Sequence, residues 1–227
     1  MNGLVKRHQK KKYPRNRGTS ECATGKLPDR LRFPDDEKRL SWLPALLDSY
    51  AIVDEGVAIA IRKEQERSGR RLACGEGCGN CCKHQKDLPL FPHELMGIYW
   101  YVSDKVSKEQ RAMLMRRFAA HGPGSRCPFL LEDYCLIHPM RPMGCRQFNV
   151  FDRQCAPGED PYYTRRDDVM TPLPQHTDRA FAAVTGFYQV DEKDVDAAIG
   201  LIRAQMINLL DYDWRKLATA RLKQGKG

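Results

Sequence analysis

Residues 74–82 read Cys74-Gly-Glu-Gly-Cys78-Gly-Asn-Cys81-Cys82, and the rest of the sequence is organised around them. Four cysteines and three glycines in nine residues predict a loop, not a packed helix or strand. Such a loop can wrap tightly around a small group, because glycine adopts dihedral angles that other residues adopt only at a cost. A second group of cysteines follows at Cys127, Cys135, Cys145 and Cys155. We expect the two groups to converge on one metal site, or on two adjacent ones.

The composition is that of a globular chain, with 227 residues of which 41% are hydrophobic. No stretch approaches the roughly 18 uninterrupted apolar residues that a membrane span needs. The first residues are charged with no apolar stretch behind them, so they do not resemble a secretory signal peptide. We therefore predict a cytoplasmic protein with no membrane partner. Cysteines stay reduced in the cytoplasm, where a dense cysteine pattern favours metal binding or catalysis over disulfides.

The net charge of +9 is concentrated near the N-terminus, where residues 1–40 carry 12 Lys and Arg against 5 Asp and Glu. With several prolines and few large apolar residues, this segment is predicted to be a basic, disordered tail. Nucleic acid is a possible partner only through this tail, which lacks interleaved aromatic residues. Cys22 lies within it and is interpreted as a spare thiol. Residues 41–227 are predicted to form a single helical cysteine-cluster metal-binding domain.

The apolar periodicity predicts a mostly α fold: a small helical domain with a loop-rich, cysteine-lined metal-binding centre and at most a short β-hairpin. Ser41 is predicted to cap the longest helix, and a capping box at Ser107 and Gln110 introduces a later one. The hairpin is expected around Glu132 and Asp133. The predicted helices cover residues 41–67, 92–101, a segment after 107, a short turn carrying Cys145, residues 176–187 and a segment that begins at Asp191.

Thiolate sulfur is a soft ligand that suits zinc and iron–sulfur clusters. Iron–sulfur sites often take three ligands from one tight loop and a fourth from far along the chain. Cys74, Cys78 and Cys81, in a C-x3-C-x2-C arrangement, fit that plan better than a zinc finger. Neighbouring side chains of an extended segment point apart, so Cys81 and Cys82 are expected to serve different metal atoms. A redox dithiol formed by this vicinal pair is a second interpretation.

The same spacing is the cluster motif of radical S-adenosylmethionine enzymes, but the sequence after Cys81 lacks the alternating strands and helices of their barrel. His84 and His138 lie beside cysteines and are reserve ligands. Arg141 and Arg146 flank Cys145, where guanidinium groups could offset the charge of several thiolates. Surface pairing of these arginines with Asp152, Glu132 or Asp133 is the alternative.

Over residues 74–155 the sequence resembles the bacterial YkgJ-like cysteine-cluster family, whose members carry a CxxCxxCC motif. Members pair that motif with a later segment that corresponds here to Cys127-Pro-Phe-Leu, Cys135-Leu-Ile-His138, Arg141-Pro142-Met-Gly-Cys145-Arg146-Gln-Phe148 and Cys155. Two features differ: three residues separate the first two cysteines instead of two, and His138 stands where many members have tyrosine. The resemblance implies a zinc- or iron-chelating domain.

The family's larger relatives include flagellin lysine methylase-like proteins, to which an iron–sulfur cluster is ascribed. The methylase activity does not carry over, because this chain lacks a glycine-rich strand-to-helix turn for a nucleotide-like cofactor. Three functions remain open at this point. The preferred one is a [4Fe–4S] protein with a redox role, or an accessory role to a modifying enzyme. The others are a structural zinc module whose basic tail recruits RNA or a protein partner, and an enzyme that binds substrate at an open cluster iron.

Overall fold

The computed structural model describes residues 27–75, 77–131, 133–188 and 194–217. Most of the regular structure is helical, and the strands are two residues each, so the predicted mostly α fold is confirmed. Short 3-10 turns cover His138–Met140, Arg166–Asp168 and Thr185–Tyr188. The helices in the described residues are α1 (Pro34–Arg39), α2 (Leu43–Ser68), α3 (Asn80–His84), α4 (Pro92–Asp104), α5 (Lys108–Ala120), α6 (Met143–Gln147), α7 (Pro161–Thr164), α8 (Pro174–Ala182) and α9 (Val195–Ala204).

Helix α2 is the longest element and packs against α4, α6 and α8. Its apolar residues recur at helical spacing, and Pro44 lies in the first turn, where its missing N–H breaks no helical hydrogen bond. Gly69 ends the helix with a left-handed φ of 70°, a conformation that favours glycine. The predicted cap at Ser41 is wrong, because Trp42 is the N-cap residue and makes no side-chain capping bond.

Two later helices begin at capping side chains. Ser107 Oγ accepts the Gln110 N–H at 3.2 Å, which confirms the predicted capping box of α5. Asp194 caps α9 by accepting the Ala197 N–H at 2.9 Å. The sequence had suggested a start at Asp191, which lies outside the described residues. The capping box was therefore recognised at Ser107, whereas α9 is capped at Asp194, one turn after the suggested start.

The strands form two small antiparallel pairs: β1 (Pro89–Leu90) with β4 (Ile207–Asn208), and β2 (Leu130–Leu131) with β3 (Tyr134–Cys135). The β2–β3 pair is the predicted hairpin. The β1–β4 pair was not predicted, because it joins segments far apart in the sequence. It is reinforced by Asn208, whose side-chain oxygen accepts the Leu88 N–H at 3.1 Å. This pairing holds the C-terminal part of the described chain against the segment that follows α3.

The segment from residue 31 to residue 40 differs from the predicted tail. Helix α1 lies here, and the Phe33 ring packs edge-on against Trp100 with centroids 5.2 Å apart. Leu31 and Leu40 pack on the same apolar cluster. Aromatic burial fixes this segment despite its charge. Residues 1–26, with Cys22, lie outside the described residues, and disorder there stays a prediction.

Buried apolar side chains form three clusters, and one of them bears on the cysteines. This cluster, here called the Trp214 cluster, joins α4, α5 and the β2–β3 hairpin to the residues after β4. Its fully buried centre includes an aromatic group of Phe118, Phe129 and Trp214 with ring centroids 4.8–5.5 Å apart. Its buried members are Leu88, Leu90, Ile98, Val102, Val106, Leu114, Phe118, Cys127, Phe129, Leu130, Ile137, Leu209 and Trp214.

None of the helices in the described ranges has the length and hydropathy that crossing a membrane requires.

Candidate metal centre

The loop that carries Cys74 and Cys78 is tightly turned and anchored to a distant segment. Cys78 N–H donates to the Gly75 carbonyl at 3.1 Å, and Gly77 has a φ of 80° that favours glycine. Ala73 N–H donates to the Val150 carbonyl at 2.8 Å, and Val150 N–H donates to Cys74 Sγ at 3.3 Å. These bonds place Cys74 beside the chain that runs from the second cysteine group toward Cys155.

Cys81 and Cys82 lie in the first turn of α3, which corrects the prediction that the whole 74–82 stretch is loop and that this pair is extended. The Gln85 N–H donates to the Cys81 carbonyl at 2.9 Å, a helical bond. Consecutive side chains on a helix are about 100° apart instead of opposed. Their Sγ atoms are accordingly only 4.0 Å apart. The geometric argument that Cys81 and Cys82 bind different metal atoms therefore fails.

Backbone contacts bring the second cysteine group against α3. Cys127 N–H donates to the Cys82 carbonyl at 3.0 Å, and the thiols of the two residues are hydrogen-bonded. Cys135 lies in β3 opposite Leu130. A Cβ on Gly79 would lie 3.1 Å from Leu130 Cδ1, so a glycine permits this close approach. The convergence that the sequence predicted is thus present between Cys82 and Cys127.

Cys145 and Cys155 approach the loop thiols from two further segments. Burial raises the pKa of Cys145 well above its ordinary value, and negative charge on Cys81 and Cys135 raises it further. Burial also raises the pKa of Cys155, with Cys78 and Cys81 adding to the increase. The Asn80 side-chain amide donates to the Cys155 carbonyl at 2.8 Å and holds this residue at the start of α3.

Cys81 links the thiols: it is in contact with Cys82, and its charge acts on Cys74, Cys135, Cys145 and Cys155. Burial, together with charge on Cys81, Cys78 and Cys155, raises the pKa of Cys74 to about 12. The pKa of Cys82 is raised first by its hydrogen bond with Cys127, and charge on Cys127 and Cys135 contributes.

Arg141 is a cation whose charge acts on three of the thiols, those of Cys81, Cys135 and Cys145. Its charge lowers the pKa of Cys135 and Cys145, opposing the increases that burial causes. Burial lowers the pKa of Arg141 itself, and the neighbouring positive charge of Arg146 lowers it further. One guanidinium nitrogen lies 3.0 Å from His138 Nδ1. Arg141 therefore has the position expected of a group that offsets thiolate charge.

Arg146 has a different environment from the one predicted. It is 4% exposed and donates to Asp54 Oδ2 at 2.6 Å, to the Arg141 carbonyl at 3.0 Å and to the Pro139 carbonyl at 2.5 Å. Its guanidinium also lies over the Tyr50 ring, 4.1 Å from the centroid. The suggested surface pairing is wrong for this residue, since its partner is on α2 and the contact is buried.

The reserve histidines differ in setting. His138 begins the 3-10 turn between Cys135 and Cys145, and burial, with positive charge on Arg141 and Arg146, lowers its pKa to about 3. Its imidazole is therefore neutral at pH 7, the form that binds metals. His84 is the last residue of α3.

Among the described side chains, no group of three or more His, Cys, Asp and Glu residues is arranged to hold a metal ion. The donor set nevertheless suits zinc or an iron–sulfur cluster, because eight free thiols converge from two segments. Side-chain rotation on binding would draw the sulfurs closer, as expected where metal binding and folding are coupled.

Three residues that support this region were not identified from the sequence. Asn80 bonds to Cys155, and Asp54 bonds to Arg146. Glu94 is fully buried in α4, and its carboxylate accepts the N–H groups of Phe91 and of Met143 at the start of α6. Burial raises the pKa of Glu94 to about 7. Their partners are distant in sequence, except for Phe91, so no local pattern indicated them.

The fold and the converging thiols define a small helical metal-binding domain. Residues 73–179, just under half of the chain, match the model of the CxxCxxCC family, described as "Putative zinc- or iron-chelating domain". The match includes the cysteine motifs and confirms the resemblance seen in them. Metal binding, with zinc or iron as the metal, is accordingly the activity that the family supports. No curated protein and no solved structure matches the chain significantly.

Proposed function

We propose that this protein binds a [4Fe–4S] cluster through Cys74, Cys78, Cys81 and Cys155, and that it serves as a redox protein or as an accessory to a modifying enzyme. The observation that carries the proposal is the position of Cys155. This residue is distant in sequence, yet its backbone is bonded to Asn80 and its thiol responds to charge on Cys78 and Cys81. Three ligands from a tight loop and a distant fourth are a common plan for iron–sulfur sites.

The surroundings suit a centre of negative charge. Arg165 lowers the pKa of Cys155, and Arg141 lowers the pKa of Cys81. Both cations oppose larger increases, which come from burial at Cys155 and from the hydrogen bond with Cys82 at Cys81. A bound cluster would supply one-electron transfer at this position. The loop thiols are only partly buried, so a partner protein could approach within electron-transfer distance. Free thiols throughout the described cysteines agree with a reducing location such as the cytoplasm.

The test is anaerobic purification followed by iron and acid-labile sulfide analysis and by absorbance spectroscopy. We expect a brown protein whose charge-transfer absorbance bleaches with dithionite. Cys78→Ser should abolish that absorbance, whereas Cys22→Ser should leave it unchanged. A colourless protein that contains zinc and no sulfide would refute the iron–sulfur assignment.

A structural zinc module is the second candidate, and the contact between Cys81 and Cys82 favours it. Their sulfurs are 4.0 Å apart, close to the roughly 3.8 Å between two ligands of a tetrahedral ion with bonds of about 2.3 Å. In this case the metal would fix the fold, and the basic N-terminal segment would recruit RNA or a protein partner. Zinc analysis and an RNA-binding assay, with and without residues 1–26, separate this function from the first.

A further inference from the structure

We infer that helix α5 and the turn that follows it bind the phosphate backbone of double-stranded nucleic acid without reading the base sequence. The surface formed by residues 105–126 is here called the α5 surface. It involves neither the metal nor residues 1–26, and its binding of nucleic acid goes beyond the proposed function.

The α5 surface is where positive charge is concentrated outside the N-terminal segment. Residues 105–126 contain six Lys and Arg against one Glu, whereas the rest of residues 41–227 contains 20 Lys and Arg against 23 Asp and Glu. Apart from this one stretch, residues 41–227 are therefore slightly acidic. A local excess of cations of this kind attracts polyanions, and it does so most strongly at low salt.

Most of these cations are not engaged by carboxylates of the protein. Within the described residues, four of them form no ion pair: Lys108, Arg116, Arg117 and Arg126. Elsewhere, four arginines each pair with two carboxylates: Arg30, Arg39, Arg70 and Arg165. The α5 surface thus keeps cationic groups available, and the planar guanidinium of arginine suits bidentate bonds to phosphate.

Helix α5 displays its cations in a fixed orientation. Leu114 and Phe118 are fully buried and hold one side of the helix against the Trp214 cluster. Arg116 lies midway between them in the sequence, on the opposite side of the helix, and it is exposed. Lys108 and Arg126 are exposed as well. A helix of 13 residues is about 20 Å long, which matches about six successive phosphates of one strand.

The composition of the α5 surface favours nucleic acid over an acidic protein. Protein interfaces have an apolar, aromatic-rich centre, but none of the exposed large apolar side chains in the described chain lies within residues 105–126. Single-stranded nucleic acid stacks its bases on exposed aromatic rings. The one Phe, Tyr or Trp residue of this stretch is Phe118, which is buried. Cations alone contact phosphates and carry no base readout, so a duplex bound without sequence preference is the partner that fits.

The experiment measures binding of the full chain, purified anaerobically, to a fluorescent DNA duplex of mixed sequence, by anisotropy at several salt concentrations. The test variant combines Lys108→Gln with Arg116→Gln, both at exposed positions. Each lost phosphate contact lowers the slope of log affinity against log salt by about 0.9, so we expect a decrease of about 1.8. The dissociation constant at low salt should rise at least about tenfold.

The matched control combines Lys63→Gln with Arg67→Gln, which makes the same charge change at exposed positions of α2. It should leave both the slope and the dissociation constant unchanged. Circular dichroism and metal content check that the variants are folded. Where the test variant does not fold, Arg126→Gln, which lies outside the helix, replaces it and should lower the slope by about 0.9.

Several outcomes would overturn the inference. An unchanged slope in the test variant would show that the duplex binds elsewhere, for instance through the N-terminal segment. Equal weakening in the control would show a dependence on net charge and no defined surface. Failure of the wild-type chain to bind the duplex, or tighter binding to single-stranded DNA, would also refute it. Binding of a polyglutamate peptide as tightly as the duplex, with the same loss in the test variant, would assign the α5 surface to an acidic protein instead.

Discussion

Replacing Arg146 with methionine removes a buried cation that three acceptors share. The guanidinium is 4% exposed and bonds to Asp54, 27% exposed, and to the carbonyls of Pro139 and Arg141. Removing one member of a buried ion pair costs about 3–5 kcal/mol, because the other charge is left without compensation. Water reaches Asp54, which reduces that cost. We therefore expect Arg146→Met to lower the free energy of unfolding by about 3 kcal/mol.

Two further variants make the measurement specific. Arg146→Lys keeps the charge but loses the planar set of donors, so about 2 kcal/mol should be lost. The matched control is Arg179→Met, which removes another arginine paired with α2. Arg179 is 58% exposed and lies 3.6 Å from Glu55, and a surface pair of this kind contributes less than about 1 kcal/mol.

Urea unfolding of the metal-loaded protein, followed by far-ultraviolet circular dichroism, measures these differences. Metal content is the second measurement. Arg146 holds the turn between Cys135 and Cys145, so Arg146→Met should also reduce metal occupancy. If Arg146→Met costs no more than Arg179→Met, the buried cation does not hold the second cysteine group, and the reasoning is refuted.

The remaining predictions concern packing, pH and metal removal. Gly97→Ala should lower the free energy of unfolding, measured in urea, by about 1–3 kcal/mol, because its Cβ would clash with Leu46 Cδ2. The control Gly200→Ala, with open space around it, should be neutral or stabilising. The free energy of unfolding should fall by up to about 3 kcal/mol between pH 5 and pH 8, because the raised pKa of Glu94 favours its protonated form in the folded state. A Glu94→Gln variant whose free energy of unfolding falls equally with pH would contradict the assignment of this effect to Glu94. Anaerobic treatment with a strong chelator should increase hydrogen exchange most in residues 121–160 and least in α2, and uniform exchange throughout would contradict a local role of the metal.

The sequence predicted the features that depend on local chemistry. The span of α2, the capping box at Ser107 and the hairpin that contains Cys135 follow from periodicity, caps and turn residues, all of which act over a few positions. The packing of Phe33 on Trp100 depends on side chains far apart in the sequence, so local charge and composition misassigned that segment. The β1–β4 pair was not predicted for the same reason, because its two strands are far apart in the sequence.

The same distinction between local and long-range features applies to the candidate site. The cysteine spacing indicated candidate donors, since soft ligands in such density have few other uses. It could not identify which donors lie together, because Cys82 meets Cys127 through a backbone bond that no motif encodes. The prediction for Cys81 and Cys82 was wrong because it assumed an extended backbone. The two residues lie in a helical turn, which brings their sulfur atoms close together instead of pointing them apart.

The arrangement of elements explains how a metal would stabilise this region. Between residues 121 and 160 the described elements are two-residue strands, one 3-10 turn and a five-residue helix, none of which is stable in isolation. Their apolar contacts are supplied largely by the Trp214 cluster and by α2, through Arg146 and Asp54. Sulfur ligands spaced through the same residues would add crosslinks where regular hydrogen bonding is sparse. We therefore expect metal binding and the folding of this segment to be one equilibrium. Helices α2, α8 and α9, which pack together, are expected to form the scaffold on which this segment folds.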